Sequence, residues 1–308
     1  MPIELLNKTL IVIAGPTAVG KTALAISLAQ QFGAEIISAD SRQVYRELTI
    51  GTAKPSAEEL NTVVHHFIDH LSIHDQYNAA QFGEDAGKLI YSLFERDDFA
   101  VMCGGSGLYI KAALEGFDDI PEIDPKIREE IMRNYHAGGL TWLQEQLKAH
   151  DPEYFSLVDK QNPQRMMRAL EVVVGTGSSI RSFHTDNRNR HPFRIFKVGL
   201  DLPREILYTR IDERMDNMIA SGLFEEAEQL FAHRHHNALQ TVGYQEIFGY
   251  LEGRYDREEA IRLLKRNSRH YAKRQLTWFR RDPAFRWFNP AEFDNIVDWI
   301  KNQITLKG

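Results

Sequence analysis

Short apolar runs alternate with amphipathic segments in the first third of the chain. Thr9–Ala14, Ala34–Ser38 and Ala100–Cys103 are rich in apolar residues, which is typical of strands buried on both faces of a parallel sheet. Thr22–Phe32 and Gln81–Glu95 carry apolar residues at helical spacing. Strands that alternate with helices predict an α/β fold, a parallel sheet with helices on both faces.

The pattern changes after the third of these strands. Residues 118–125 contain two prolines and four acidic residues, which predicts a linker. Residues 126–174 show only helical periodicity, with breaks near Gly138-Gly139 and Asp151-Pro152. The polar stretch 175–192 predicts a mobile loop.

A strand pattern returns at Phe193–Asp201. We therefore predict a helical insertion domain at 118–194, within an α/β core formed by 1–117 and 195–308. The C-terminal part of that core is predicted to be helical, at Pro203–Ser221, Leu223–His233, Val242–Glu252 and Arg257–Thr277.

Composition narrows the class of protein without identifying it. The 308 residues are 43% hydrophobic and 26% charged, as in ordinary globular proteins. A single cysteine, Cys103, excludes a disulfide within the chain and fits a reducing compartment. Leu10–Ala14 is too short for a signal peptide or a membrane span, so we expect a cytoplasmic protein without membrane contact.

The first strand runs into a phosphate-binding sequence. Residues 15–22 match G-x-x-x-x-G-K-[ST], in the strand–turn–helix context that this motif requires. Backbone N–H groups and the helix N-terminus would hold phosphate oxygens, Lys21 would add a cation, and the Thr22 hydroxyl would bind Mg²⁺. This motif indicates a P-loop NTPase-like sheet but is shared by kinases, NTPases and enzymes that use diphosphates. The predicted phosphate ligands are Gly15, Thr17, Ala18, Gly20, Lys21 and Thr22.

Two further turns follow predicted strands. Asp40 ends the second strand, where a doubly wound sheet faces its ligand, and its carboxylate is placed to accept a proton from a nucleophile. The alternative is that Asp40 only caps a turn. Gly104–Gly107 follows the third strand and would offer amides and the Ser106 hydroxyl to a phosphate, or form an ordinary turn.

Histidines do not predict a metal site here. His65-His66, and His233 with His235-His236, are close in sequence but lack the helical spacing of a metal site. We interpret them as surface or structural residues.

No apolar run ends in an acid that would serve as the second Mg²⁺ ligand of a motor protein or GTPase.

The C-terminal third is basic although the whole chain has a net charge of −6. Residues 254–286 hold eleven Lys or Arg against four Asp or Glu, with interleaved aromatic residues. Such a segment predicts a polyanion surface, although each aromatic residue taken singly is better explained as core. A second basic set lies in and near the insertion, at Arg165, Arg168, Arg181, Arg188, Arg190 and Arg194.

Together these segments resemble the tRNA dimethylallyltransferases, also called tRNA isopentenyltransferases. Eight blocks in the same order along nearly the whole chain carry the resemblance, which is therefore specific. They are Gly15–Thr22; Asp40–Tyr45 with Ile50–Pro55; His65–Asp69; Gly104–Tyr109; Asn162–Arg165 with Arg168–Glu171; Pro203–Glu205 with Arg210 and Arg214; Val242–Tyr244; and Ala272–Trp278.

The resemblance implies Mg²⁺-dependent transfer of a dimethylallyl group from dimethylallyl diphosphate to N6 of the adenosine at position 37 in the tRNA anticodon loop. It implies that Asp40 is the base, and that Ser106 and an arginine, Arg214 or else Arg210, assist the departing diphosphate. We also expect a monomer. The residues predicted to contact the tRNA anticodon stem-loop are Asp40, Ser41, Gln43, Gln164, Arg165, Arg168, Lys273 and Arg274.

Three alternatives share part of this pattern. A small-molecule P-loop kinase would have the same loop and acid but would not need the basic C-terminal segment. An adenylate isopentenyltransferase would need neither that segment nor the helical insertion. An RNA-binding NTPase without transfer chemistry is disfavoured by the lack of a second Mg²⁺ acid.

Overall fold

The chain forms two compact units. A computed structural model describes residues 3–116, 120–183 and 191–306. One unit combines Met1–Gly116 with Arg190–Gly308, and the other is Phe117–Asn189. The second unit begins one residue before the predicted insertion at 118–194 and ends five residues before it, and Arg194 is the first residue of a strand in the first unit.

A parallel sheet is the centre of the first unit, which confirms the predicted α/β fold. Its six strands lie in the order β3-β2-β4-β1-β5-β6, and every neighbouring pair is parallel. The strands are β1 (Thr9–Ala14), β2 (Glu35–Ser38), β3 (His65–His66), β4 (Phe99–Gly104), β5 (Arg194–Leu200) and β6 (Phe285–Phe288).

Strand β1 lies between β4 and β5 and is buried along its whole length. Its alternate side chains enter two separate cores. Leu10 and Val12 belong to one core, and Ile11 and Ile13 to the other. Because successive side chains point to opposite faces, a strand covered by helices on both sides must be apolar at every position.

Nine helices of the described residues pack around this sheet in the first unit, and three more form the second unit. Those of the first unit are α1 (Lys21–Phe32), α2 (Ala57–Thr62), α3 (Ala79–Phe94), α4 (Gly107–Glu115), α8 (Arg204–Ala220), α9 (Leu223–Gln229), α10 (Tyr244–Leu251), α11 (Arg257–Phe279) and α12 (Phe293–Leu306). Those of the second unit are α5 (Pro125–His150), α6 (Pro152–Leu157) and α7 (Pro163–Thr176). Within the described ranges, no helix is both long and apolar enough to span a membrane.

The second unit has its own apolar core, which α5 and α7 share. A kink at Gly139, with φ 66°, and the change of helix at Asp151 fall where the sequence predicts breaks. The loop predicted at 175–192 is partly wrong, because α7 continues to Thr176 and Ile180–Phe183 form a 3₁₀ turn. Residues 118–119 of the predicted linker and 184–190 of that loop, with Arg188 and Arg190, lie outside the described residues.

The sequence patterns did not predict β3, β6, α2 or α12. Strand β3 has only two residues, both histidine, so it carries no apolar alternation. Strand β6 reads Phe-Arg-Trp-Phe and begins at the end of segment 254–286, which was assigned to polyanion binding. Phe285 is buried, in agreement with the core interpretation of the single aromatic residues in that segment.

Candidate active site

Three turns meet at the carboxyl edge of the sheet, where β1, β2 and β4 end. They are the phosphate loop after Ala14, the turn at Asp40 and the turn at Gly104-Gly105. Together with α8 and α11 they enclose a cavity of about 390 Å³. Its wall contains the predicted site residues Thr17, Ala18, Gly20, Lys21, Thr22, Asp40, Gln43 and Arg214.

The phosphate loop has the conformation that the motif requires. Gly20 precedes α1 with φ 106°, a left-handed conformation that glycine adopts without steric cost. Gly15 does not line the cavity; a Cβ there would lie 2.7 Å from the Leu200 carbonyl oxygen of β5, so this glycine permits close packing of strand and loop. The loop therefore presents α1 and its N-terminal amides to the cavity.

Lys21 is the buried cation of the site. Its Nζ donates a hydrogen bond to the Pro16 carbonyl oxygen at 2.8 Å, which keeps the ammonium beside the loop. The pKa of Lys21 is lowered to about 8, mainly by burial and also by the positive charge of Arg214, while Cys103 and Asp40 oppose the shift. A buried ammonium beside a second cation is suited to bind an anion.

Asp40 acts as a turn cap and also lines the cavity, while its role as a base stays a prediction. Its Oδ1 accepts hydrogen bonds from the backbone N–H groups of Arg42 at 2.9 Å and Gln43 at 3.3 Å. In the described part of the chain, no hydrogen bond reaches Oδ2. One carboxylate oxygen is thus fixed by the turn, and the other is available to a ligand.

Ser106 and Ser41 form a contact between two of the turns. Ser106 Oγ accepts a hydrogen bond from Ser41 N–H at 3.0 Å and donates one to Ser41 Oγ at 3.2 Å. Neither serine is part of the cavity wall.

Gln43 does line the cavity, but its Nε2 donates to the carbonyl oxygens of Thr52 and Ala53, both at 3.2 Å. Gln43 therefore also holds a second segment of the wall in place.

The two candidate arginines occupy different environments on α8. Arg214 lines the cavity, and burial lowers the pKa of its guanidinium against the opposing effect of Asp40. Arg210 is exposed and does not line the cavity. Of these two arginines, only Arg214 is therefore part of the cavity wall.

Gln275 and Tyr271 of α11 were not predicted as site residues. Gln275 is buried; its Oε1 accepts a hydrogen bond from Thr17 N–H at 2.8 Å, and its Nε2 donates to Gly105 O at 2.9 Å. Tyr271 lines the cavity, and burial raises the pKa of its hydroxyl to about 12. The sequence drew attention to Gln275 only through the block Ala272–Trp278 of the family resemblance. The rest of the segment was interpreted by its charge.

The residues predicted to contact tRNA fall in both units. On α7 of the second unit, Gln164 and Arg165 are exposed, while Arg168 donates a 2.9 Å hydrogen bond to Glu171. On α11 of the first unit, Lys273 and Arg274 are exposed.

The basic segment 254–286 is less positive in the folded protein than its sequence indicates. Five of its cations form ion pairs with carboxylates, most of them on other elements. The pairs are Arg254–Glu252, Arg262–Glu259, Lys265–Asp216, Arg269–Asp212 and Arg280–Asp201. Lys273 and Arg274 have no carboxylate partner among the described residues, so they keep their charge for an external anion.

Comparison with known proteins gives consistent matches along the whole chain. Residues 43–282 match the model of the IPP transferase family. The tRNA dimethylallyltransferase of Cytophaga hutchinsonii is 50% identical over 97% of this chain and 98% of its own. The corresponding protein of Flavobacterium johnsoniae is 49% identical over 96% of this chain and all of its own.

Solved structures of tRNA isopentenyltransferases are also similar to this chain. The tRNA isopentenylpyrophosphate transferase of Bacillus halodurans superposes with a TM-score of 0.73 at 37% identity, covering 97% of this chain and 98% of the other. A eukaryotic dimethylallyltransferase, described as acting on tRNA, has a TM-score of 0.69 at 27% identity, covering 88% of this chain and 69% of the other. The resemblance predicted from the sequence is confirmed.

Proposed function

This chain belongs to the IPP transferase family, and from that premise we propose that it transfers a dimethylallyl group from dimethylallyl diphosphate to N6 of adenosine 37 in tRNA. The observation that carries the proposal is the shared cavity of Lys21, Arg214 and Asp40. Two cations, Lys21 and Arg214, and one carboxylate, Asp40, thus line the same cavity. A diphosphate leaving group needs cations, and an amine nucleophile needs a proton acceptor.

The diphosphate is anchored by the phosphate loop. Amides at the start of α1 and the Lys21 ammonium take up its charge, and Arg214 neutralises the negative charge that grows as the allylic C–O bond breaks. The electron pair of that bond leaves with the diphosphate. The remaining carbon fragment is a stabilised allylic cation, so stabilising the leaving group is the larger contribution to catalysis.

Asp40 completes the reaction as the base. The N6 lone pair forms the new bond to the allylic carbon, and the N6 proton passes to the Asp40 carboxylate. Its Oδ1 is held by two backbone N–H groups, which leaves Oδ2 as the acceptor. Gln43 and Ser41, beside Asp40, are proposed contacts of the target nucleotide, and Ser106 is proposed to assist the diphosphate through the same turn.

Mg²⁺ is the proposed cofactor, and the residues present fit it. Mg²⁺ in phosphate sites takes one or two protein oxygens, with phosphate oxygens and water completing its shell. Thr22 offers a hydroxyl in the cavity wall. When bound, the ion would neutralise charge on the diphosphate.

The tRNA contacts are proposed on cations of both units. Lys273 and Arg274 of α11 would bind phosphates of the anticodon stem-loop, as would Arg165 and Arg168 of the insertion. Gln164 is a proposed polar contact beside them. Stacked bases in a loop are extruded at a cost of only a few kcal/mol, which makes adenosine 37 accessible to such a pocket.

We also propose a cytoplasmic monomer. The lone cysteine supports a reducing compartment. Light scattering coupled to gel filtration measures the mass of the particle, and a mass near 35.5 kDa is expected.

The test is a transfer assay with labelled dimethylallyl diphosphate and an anticodon stem-loop RNA. Label is expected on the RNA with adenosine at position 37, and not on an RNA with guanosine there. Label on free AMP instead of RNA would indicate an adenylate isopentenyltransferase. Consumption of ATP without RNA, and no label transfer, would indicate a kinase and overturn the proposal.

A further inference from the structure

Three histidines from two distant segments meet on the surface of the first unit. His74 lies in the turn after Leu71, while His233 and His236 lie between α9 and α10. One ring nitrogen from each lies within 4.8 Å of the others. The ring centroids are 5.0 Å apart for His74 and His233, and 4.9 Å apart for His74 and His236.

We propose that His74, His233 and His236 bind one zinc ion. Neutral imidazole is the commonest metal ligand among side chains, and three of them with a water complete a tetrahedral zinc shell. Ligand nitrogens of a tetrahedral zinc are about 3.3 Å apart. Side-chain rotations that bring the ring nitrogens closer by up to about 1.5 Å therefore suffice. The proposal is independent of the transfer reaction.

The ring nitrogens are available for such a role. No hydrogen bond to the ring nitrogens of these three histidines occurs within 3–116, 120–183 and 191–306. Elsewhere in the chain the rings of His65, His66 and His191 do have polar partners. His233 and His236 are half-buried and His74 is exposed, so an ion can enter from solvent.

Both segments are held in place before any ion binds. The turn of His74 is fixed because Ser72 N–H donates to Asp75 Oδ2 at 2.8 Å and Ile73 N–H donates to Glu47 Oε2 at 3.0 Å. On the other side, His236 N–H donates to the His233 carbonyl oxygen at 2.9 Å. A preorganised ligand set loses less conformational entropy on binding.

An ion here would link the turn at His74 to the segment that leads to the cavity. Thr241, Val242 and Gly243 line the cavity and follow His236 closely. The Gln240 carbonyl oxygen also accepts a 3.5 Å hydrogen bond from Arg42. Zinc would thus stabilise one part of the cavity wall without entering it.

Zinc binding is tested on untagged full-length protein, stripped with chelator and titrated with ZnCl₂ by calorimetry. We expect one ion per chain with a Kd of about 1 μM or tighter, and a rise in Tm with zinc. His74→Ala, an exposed position that does not endanger folding, should weaken binding at least about 100-fold and remove the Tm rise. His235→Ala is the matched control, because His235 is exposed and lies outside the cluster.

A second measurement uses Co²⁺ in place of zinc. Intense visible absorption, typical of tetrahedral cobalt, is expected for the native chain and for His235→Ala, and is lost in His74→Ala and His236→Ala. The proposal is overturned if the native chain binds no zinc tighter than about 1 mM, as scattered surface histidines would. Equal binding by native chain and His74→Ala overturns it as well.

Discussion

Gln275 Oε1 accepts a hydrogen bond from the backbone N–H of Thr17, across 258 residues of sequence. The same side chain donates from Nε2 to the Gly105 carbonyl oxygen, so one buried amide joins two of the turns around the cavity. Gly105 has to be glycine for this, since a Cβ there would lie 2.3 Å from Gln275 Nε2. Helix α11 thereby sets the position of the phosphate loop.

Replacing Gln275 should loosen that loop. Gln275→Ala leaves the half-buried N–H of Thr17 and the buried carbonyl of Gly105 without their side-chain partner. The unsatisfied buried carbonyl costs about 1–3 kcal/mol of stability. We expect a lower Tm and a KM for dimethylallyl diphosphate raised more than the KM for RNA. Thr277→Ala, an exposed change on the same helix, is the control and should alter neither. An equal rise in both KM values would contradict a specific role at the loop.

Asp40→Asn separates the two roles of Asp40. Asparagine Oδ1 still accepts from the N–H groups of Arg42 and Gln43, so the turn should persist, but the amide cannot take a proton. The single-turnover rate should fall about 10²–10⁴-fold. RNA affinity, measured by filter binding, should stay within about threefold of the native value. A native single-turnover rate would exclude Asp40 as the base.

Donor affinity should depend on pH through Lys21. Its pKa is lowered to about 8 by burial, and a diphosphate binds the protonated form. Affinity is therefore complete below pH 8 and falls as pH rises above it, by up to about tenfold per unit. The pKa values of Cys103 and Tyr271 are raised to about 11 and about 12, so neither group titrates between pH 7 and 9.5.

The check is equilibrium binding of dimethylallyl diphosphate from pH 7 to 9.5. Lys21→Arg is the control, because a guanidinium stays protonated throughout this range. Its binding curve should be flat between pH 8 and 9.5 even if the affinity is lower. A native curve that is equally flat would place the titrating group elsewhere.

Arg214 and Arg210 provide a matched pair on one helix. Arg214 lines the cavity and Arg210 is exposed outside it. Arg214→Ala should lower kcat about 10²–10³-fold, because one preorganised cation for the departing diphosphate is lost. Arg210→Ala should stay within about threefold of the native kcat. The reverse order in steady-state kinetics would assign the diphosphate to Arg210.

Glu226 should stabilise another part of the wall. Its carboxylate accepts hydrogen bonds from the backbone N–H groups of Ile50 at 2.8 Å and Gly51 at 2.8 Å, and from the Tyr244 hydroxyl at 2.6 Å. Glu226→Ala should cost about 1–3 kcal/mol in urea unfolding for each buried donor left unpaired. Glu225→Ala, at the exposed neighbouring position, should cost less than about 0.5 kcal/mol.

Features that depend on contiguous residues were predictable from the sequence alone. The phosphate loop, with Lys21 and Thr22, is one strand, one turn and one helix, so its local pattern determines its geometry. Asp40 was found for a similar reason, because the carboxyl ends of parallel strands share one edge of the sheet. The parallel sheet itself follows from apolar runs buried on two faces.

Tertiary structure alone decided what depends on distant contacts. Nothing local indicates that Gln275 reaches Thr17, that Arg214 rather than Arg210 faces the cavity, or that His74 joins His233 and His236. The sequence of segment 254–286 also does not show which of its cations are paired, because their acidic partners Asp201, Asp212 and Asp216 lie on other elements. Side chains far apart in sequence become neighbours only when the helices pack, and packing depends on the whole chain rather than on any window of it.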